Sequence, residues 1–200
     1  MSQESNVHGD PYLYEATAVL RNLADIRDAN RLSQFENDHF FARLLELHEN
    51  PIRGSFDSDH LRHIHHFLFQ DVYAWAGEFR TVPIAKGSSL FARPEHIGTE
   101  LQRLLGRLLG ERFLRGSDSR TFCQRGGHYL GEINALHPFR EGNGRVQREF
   151  IRELAVRAGY DIAWDLVTRD EMLTASMASF HEGRSDAITT ILNRIISPVR

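Results

Sequence analysis

Apolar residues recur at helical spacing along most of the chain. Leu61, Ile64, Leu68 and Val72 follow one another at steps of three, four and four. That is one stripe on a helix, and Asp57 or Ser58 can cap it. Residues 14 to 48 carry the same period through Leu20, Leu23 and Ile26, then Phe41, Leu44 and Leu45, until Pro51 and Gly54 break it. Ile97, Leu101, Leu104, Leu105 and Leu108 predict the next helix. Ser117 or Asp118 starts another, which runs to about Ala135 through Phe122, Tyr129, Leu130 and Ile133. Val146, Phe150, Ile151 and Leu154 predict a helix that Gly159 closes. Two more are expected over 169–181 and 185–196, the second bearing Ile188, Ile191, Leu192 and Ile195. Only Phe79 to Phe91 reads differently. There Val82 and Ile84, then Leu90 and Phe91, flank a KGSS turn in the pattern strand, turn, strand. The expected fold is mostly α with one β-hairpin.

No repeat, low-complexity tract or proline-rich linker divides the sequence, so residues 1–200 read as a single domain. Hydrophobic residues make up 41% of the chain, with 13 Phe, enough for a buried core. A net charge of -3 argues against nucleic-acid binding through bulk electrostatics. No apolar run is long enough to cross a bilayer, and the N-terminal MSQESNVHGD is too polar for a secretory signal. One cysteine, Cys123, excludes an internal disulfide and fits a reducing compartment. The expectation is a cytoplasmic protein with no direct nucleic-acid or membrane partner. Cys123 lies in a predicted helix with no base placed beside it and reads as a buried spectator.

The chemistry is concentrated in HPFREGNGRVQR, residues 137–148. Gly142 and Gly144 allow a tight bend and the close approach of an anion. The helix that follows has unsatisfied N–H groups at its start, which suit a phosphate. Arg145 and Arg148 are three apart, on one helix face, and can reach one polyanion. Glu141 can hold a hard divalent cation, and His137 can take a proton from a hydroxyl. The set reads as a site for nucleotide triphosphate chemistry. A glycine turn followed by Arg is by itself an ordinary helix start, and this one matches neither GxxxxGK[ST] nor GxGxxG. Its weight lies in the whole string.

That string fits, without a gap, the Fic-domain signature His-x-Phe-x-Asp/Glu-Gly-Asn-Gly-Arg-x-x-Arg. The chain is similar to that family over roughly residues 10 to 160. DPYLYE (10–15) resembles the start of stand-alone Fic toxins and secreted effectors. WAGEFRTVPIAKGSSLFA (75–92) resembles the hairpin "flap" beside the active site, and EINALHPF (132–139) the helix leading into the loop. The resemblance implies a Fic-type helical domain with its flap at about 79–92. It implies a protein adenylyltransferase that moves AMP from ATP to a target hydroxyl, with ATP as co-substrate and Mg²⁺ as cofactor. His137 is then the general base and Glu141 the Mg²⁺ ligand. Gly142, Asn143 and Gly144 form the anion hole, the Asn amide included, while Arg145 and Arg148 hold the β- and γ-phosphates. Phe139 anchors the loop. Lys86 and Phe91 are the flap positions placed toward the target, and Arg80 is expected to buttress the hairpin.

Similar stand-alone Fic toxins act on type II topoisomerase ATPase subunits, which makes DNA gyrase or topoisomerase IV the expected target. Many family members are restrained by an inhibitory helix, Ser/Thr-x-x-x-Glu-Gly/Asn. Here the nearest string, ASFHEG, has Ala178 where Ser or Thr is needed. A small separate antitoxin is therefore expected to supply that helix. The competing readings are a Fic enzyme with another donor, UMP or phosphocholine, and a non-catalytic binding module. His60, His63, His65 and His66 cluster, with His60, His63 and His66 three apart, but no Cys or suitable acidic partner completes a metal set, so an ordinary helical surface is expected there.

Overall fold

The structure, a computed structural model, describes residues 9–86 and 89–199, with Lys86 and Ser89 described in their backbone alone. Seven α-helices dominate it: α1 (Ala29–Glu49), α2 (Ser58–Phe69), α3 (Pro94–Gly110), α4 (Ser119–Leu136), α5 (Asn143–Ala158), α6 (Arg169–Glu182) and α7 (Asp186–Ile195). Strands β1 (Ala85–Lys86) and β2 (Ser89–Leu90) pair antiparallel, Ala85 facing Leu90 and Lys86 facing Ser89. This is the expected hairpin, with regular pairing confined to its tip. The chain divides into two compact units, Met1–Arg53 with Arg62–Glu78, and Gly54–Leu61 with Phe79–Arg200.

In the first unit the helix begins later than the periodicity predicts. Asp28 caps α1 by accepting the Arg31 N–H at 2.9 Å. Upstream, Asn22 competes with helix formation. Its carboxamide donates to the carbonyls of Leu20 and Ile26 and accepts the Ile26 N–H. The inward face of α1 is Leu32, Glu36, Phe40 and Leu47, whereas Phe41 and Leu45 are 60% and 67% exposed. Glu36 can be buried because the Tyr73 hydroxyl donates to its carboxylate.

Two histidines of α2, His60 and His65, depart from the expected ordinary surface, while His63 and His66 are exposed as expected. His65 is fully buried, and its Nδ1 accepts the Gly77 N–H at 2.7 Å, pinning a turn where Gly77 has φ +87. In the second unit His60 does the same for the Phe56 N–H at 3.2 Å, with Nε2 2.9 Å from Glu153. No group of three or more His, Cys, Asp or Glu among the described residues is arranged to hold a metal ion.

The second unit is organised around α4, which Asp118 caps by accepting the Thr121 N–H at 2.7 Å. Helices α3, α5, α6 and α7 all pack on α4. Glycines make this possible. A Cβ on Gly127 would lie 2.7 Å from the Thr189 hydroxyl, and one on Gly131 would lie 2.6 Å from that of Ser179. The buried side of α5 includes Val146, Phe150, Ile151 and Leu154, as its period predicts. A second antiparallel pair, β3 (Tyr160–Ile162) with β4 (Ile196–Pro198), joins the chain after α5 to the C-terminal segment. At three residues each, these strands are too short to show a period of two, so the hydrophobic pattern does not reveal them.

Candidate active site

The chain reverses between the end of α4 and the start of α5, and the motif lies in this reversal. His137 is the C-cap residue of α4, with left-handed backbone at φ 47 and ψ 62. Only over-determination by the surroundings holds a non-glycine residue there. Its N–H donates to the Ile133 carbonyl at 3.0 Å, and its own carbonyl accepts Arg80 Nε at 2.8 Å. Arg80 is 2% exposed. Its guanidinium also donates to the carbonyls of Val82, Ala92 and Leu136, and its backbone N–H to Pro138. A buried cation is thus spread over four carbonyl dipoles, tying the base of the hairpin to the motif loop. The expected buttress is there, and it reaches the motif as well.

The His137 ring is fixed on two sides. Nδ1 lies 3.3 Å from the Asn134 carbonyl, a contact that favours a proton on Nδ1, and in the neutral ring Nε2 is then the acceptor. Phe91 stacks on the imidazole, ring centroids 3.9 Å apart and planes 15° apart. Phe91 is 8% exposed, so its structural place is against His137 rather than on an open face of the hairpin. The Lys86 side chain, the other flap position singled out, lies outside the described part of the structure.

Phe139 is buried, and Asn143 brackets it. Asn143 Oδ1 accepts the Phe139 N–H at 2.9 Å, and Nδ2 donates to the Phe139 carbonyl at 2.7 Å. This corrects the expectation that the Asn amide itself faces phosphate. The buried carboxamide closes the loop, and the backbone remains to meet an anion.

Gly142, at φ 79, is the N-cap of α5, and its carbonyl takes the N–H groups of Arg145 and Val146. Glu141 Oε1 accepts the Gly142 N–H at 2.9 Å and lies 3.4 Å from Arg145. Gly144 is exposed; a Cβ there would meet only Arg148, at 3.5 Å from Nη1. The bare glycine therefore leaves open the space before that guanidinium. Arg148 is half-buried and, among the described residues, has no carboxylate within ion-pair distance. Burial first, then the charge of Arg145, lowers its pKa, though a guanidinium stays protonated. Two cations and the first turn of a helix thus converge where no carboxylate neutralises Arg148, an arrangement that calls for a polyanion.

Glu141 tests well as a metal position. Its side chain is 46% exposed, at the edge of the same helix start. One carboxylate beside a phosphate site is what Mg²⁺ requires, since the ion keeps several waters and takes further oxygens from the nucleotide. A separate cavity of about 530 Å³, lined by Phe56, Gln102, Phe113 and Arg157 among others, contains none of the motif residues. Sequence reasoning missed Phe180, which packs edge-to-face on Phe91, because its string ASFHEG is weighed only for an inhibitory glutamate.

A family model described as Fic/DOC matches residues 55–155. The chain is 47% identical over 185 residues to the protein adenylyltransferase VbhT of Bartonella schoenbuchensis, covering 92% of this chain but 38% of that one. It is 40% identical over 176 residues to a probable protein adenylyltransferase of Sinorhizobium fredii, covering 88% of this chain and 90% of the relative. Among solved structures it is similar to BepC of Bartonella tribocorum with bound AMPPNP, at 26% identity and TM-score 0.88 over 94% and 97% of the two chains. It is likewise similar to an ADP-bound N-terminal Fic domain of Bartonella quintana, at 28% identity and TM-score 0.89 over 94% and 95%.

Proposed function

The chain belongs to the Fic/DOC family, and we propose that it is a protein adenylyltransferase, moving AMP from ATP to a hydroxyl side chain of a target protein. The observation that carries this reading is Arg148, half-buried without a carboxylate partner before the bare surface of Gly144. A triphosphate supplies the missing charge. The first-turn N–H groups of α5 hold the α-phosphate, and Arg145 and Arg148 reach the phosphates beyond it. The target oxygen attacks the α-phosphorus, the bond to pyrophosphate breaks, and Nε2 of His137 takes the hydroxyl proton. Glu141 would hold Mg²⁺, which would supply charge neutralisation at the phosphates. Catalysis here is chiefly positioning, and the loop is built for it: Arg80 and Asn143 fix its backbone at both ends.

The target is an ATPase subunit of DNA gyrase or topoisomerase IV, and the restraint is a small antitoxin whose carboxylate occupies Arg148. The resemblance to stand-alone toxins and the lack of a complete inhibitory motif in the sequence support this part of the reading. The protein acts in the cytoplasm; no helix among the described residues is long and apolar enough to cross a membrane. The test is transfer from ATP labelled at the α-phosphate, with Mg²⁺ and bacterial lysate, by wild type and His137→Ala. A labelled band with wild type alone supports the reading. Label from UTP in place of ATP would move the assignment to another donor, and no label from either would overturn it.

A further inference from the structure

The site described so far uses Phe91 and His137, but the contact does not end there. Phe180, near the C-terminus of α6, closes on Phe91 with ring centroids 5.4 Å apart and planes at 75°. With the 3.9 Å stack of Phe91 on His137, this makes a run of three rings ending at the imidazole. Phe180 touches none of the expected reacting atoms, and no motif residue lies near it in sequence. We infer that Phe180 is a positioning residue for the transfer reaction, holding the imidazole of His137 through Phe91. The inference rests on the adenylyltransferase reading for its kinetic consequences but not for its structural ones.

The physical case has three parts. Phe91 follows a two-residue strand and is held in its backbone by one N–H bond, to the Ile84 carbonyl at 3.2 Å. A short hairpin is marginal by itself, so the ring under the imidazole needs support from elsewhere. Phe180 supplies that support from a rigid element. Its neighbour Ser179 is buried against Gly131 of α4, where a Cβ would come within 2.6 Å of the Ser179 hydroxyl. Arg194 of α7 pairs with Glu171 of α6 at 2.8 Å, and Gly183 caps α6 in left-handed conformation. Edge-to-face aromatic packing is favourable and directional, so it fixes orientation as well as distance. Finally, Phe91 lies nearly parallel to the imidazole, with ring centroids 3.9 Å apart and planes 15° apart. Ring packing of this kind helps to set the alignment of the imidazole, and general-base transfer depends on alignment.

The loop is thus held from both sides, its backbone by Arg80 and its side chain by the rings. Helix α4 serves both ends of the arrangement. Its Gly131 seats Ser179, and its C-terminus is His137 itself.

The test compares wild type, Phe180→Ala, Phe180→Tyr and Gly131→Ala in two measurements. The first is the nitrogen and carbon NMR signature of the His137 ring in the free protein. Wild type and Phe180→Tyr are expected to show one tautomer with the proton on Nδ1, while Phe180→Ala shows averaged shifts of a mobile ring. Gly131→Ala, which displaces Ser179, is expected to shift the spectrum in the same sense. The second is steady-state transfer. Phe180→Ala is expected to lower kcat about tenfold or more, with KM for ATP within about twofold, because the nucleotide is held at α5. Phe180→Tyr restores the rate. An unchanged His137 spectrum in Phe180→Ala overturns the inference, as does a loss of activity that Phe180→Tyr fails to restore. If wild type transfers no nucleotide while the His137 spectrum responds as expected, the adenylyltransferase reading fails and the positioning contact stands.

Discussion

The Arg80 guanidinium donates to the carbonyl of His137 at 2.8 Å, although the two residues are 57 positions apart in sequence. The donor belongs to the stretch entering the hairpin, and the acceptor is the residue expected to do the chemistry. Left-handed backbone at His137 would otherwise relax, since a non-glycine residue gains by leaving that region. The bond makes the catalytic geometry a property of the fold.

Replacing Arg80 by Ala should therefore strand the carbonyls of Val82, Ala92, Leu136 and His137 in a dry interior. The expected cost is about 3 kcal/mol or more, read from urea unfolding at an unchanged m-value. Arg80→Lys should recover only part of it, because an ammonium cannot fork to several carbonyls at once.

Asn143→Ala removes two hydrogen bonds to the buried Phe139 peptide. Stability should fall by about 1–3 kcal/mol. Calorimetric binding of a non-hydrolysable ATP analogue should weaken at the same time, since the loop before α5 loses its closure. Binding at wild-type strength would assign Asn143 a purely structural role.

Arg148→Met should separate stability from binding. In the free protein it exchanges a guanidinium with no carboxylate beside it for an apolar chain, so thermal stability should hold or rise by about 2–4 °C. ATP affinity should drop about tenfold or more while AMP affinity changes little, because the distant phosphates lose their partner. A Tm reduced by several degrees would show that the guanidinium has a structural partner instead.

Burial pushes the Cys123 thiol up to about 11, from an ordinary value of 9.0. At pH 8 about one thiol in a thousand is ionised in the folded protein, so alkylation by iodoacetamide should require unfolding. The sign for stability follows. Between about pH 9 and 11 the unfolded chain gives up this proton and the folded chain keeps it, so the group lowers stability as pH rises through that window. Rapid labelling of native protein at pH 8 would contradict the placement.

Gly127→Ala tests the packing of α4 on α7. The added methyl would lie 2.7 Å from the Thr189 hydroxyl and 3.2 Å from its backbone nitrogen, and the backbone cannot swing aside. The expected loss is about 1–3 kcal/mol despite the better helix propensity of Ala. Gly106→Ala in α3, where nothing lies within 4 Å, should be neutral or slightly stabilising.

Helix periodicity and breaker residues located α3 to α7 to within a few residues, and Asp118 and Thr168 cap α4 and α6 by accepting a first-turn N–H. The motif was equally visible, since its glycines, acid, His and Arg residues are contiguous. Local pattern failed where side chains answer to distant partners. Asn22 bonds its own neighbours and ends the apparent helix over 14–28, while Phe41 and Leu45 hold helical positions yet stay largely exposed. His60 and His65 read as surface until their backbone partners, Phe56 and Gly77, are in view.

The amino-acid sequence by itself determined the helical class and the short string that can cradle a triphosphate, because both depend on residues within a few turns of one another. Tertiary structure decided what gives that string its geometry: Arg80 beneath the His137 carbonyl, Phe91 stacked on its ring, and Phe180 edge-to-face on Phe91. Those contacts join segments more than 40 residues apart in most cases. No local preference specifies such pairings; they form only when packing of the glycine-lined α4 brings the separate helices to one place.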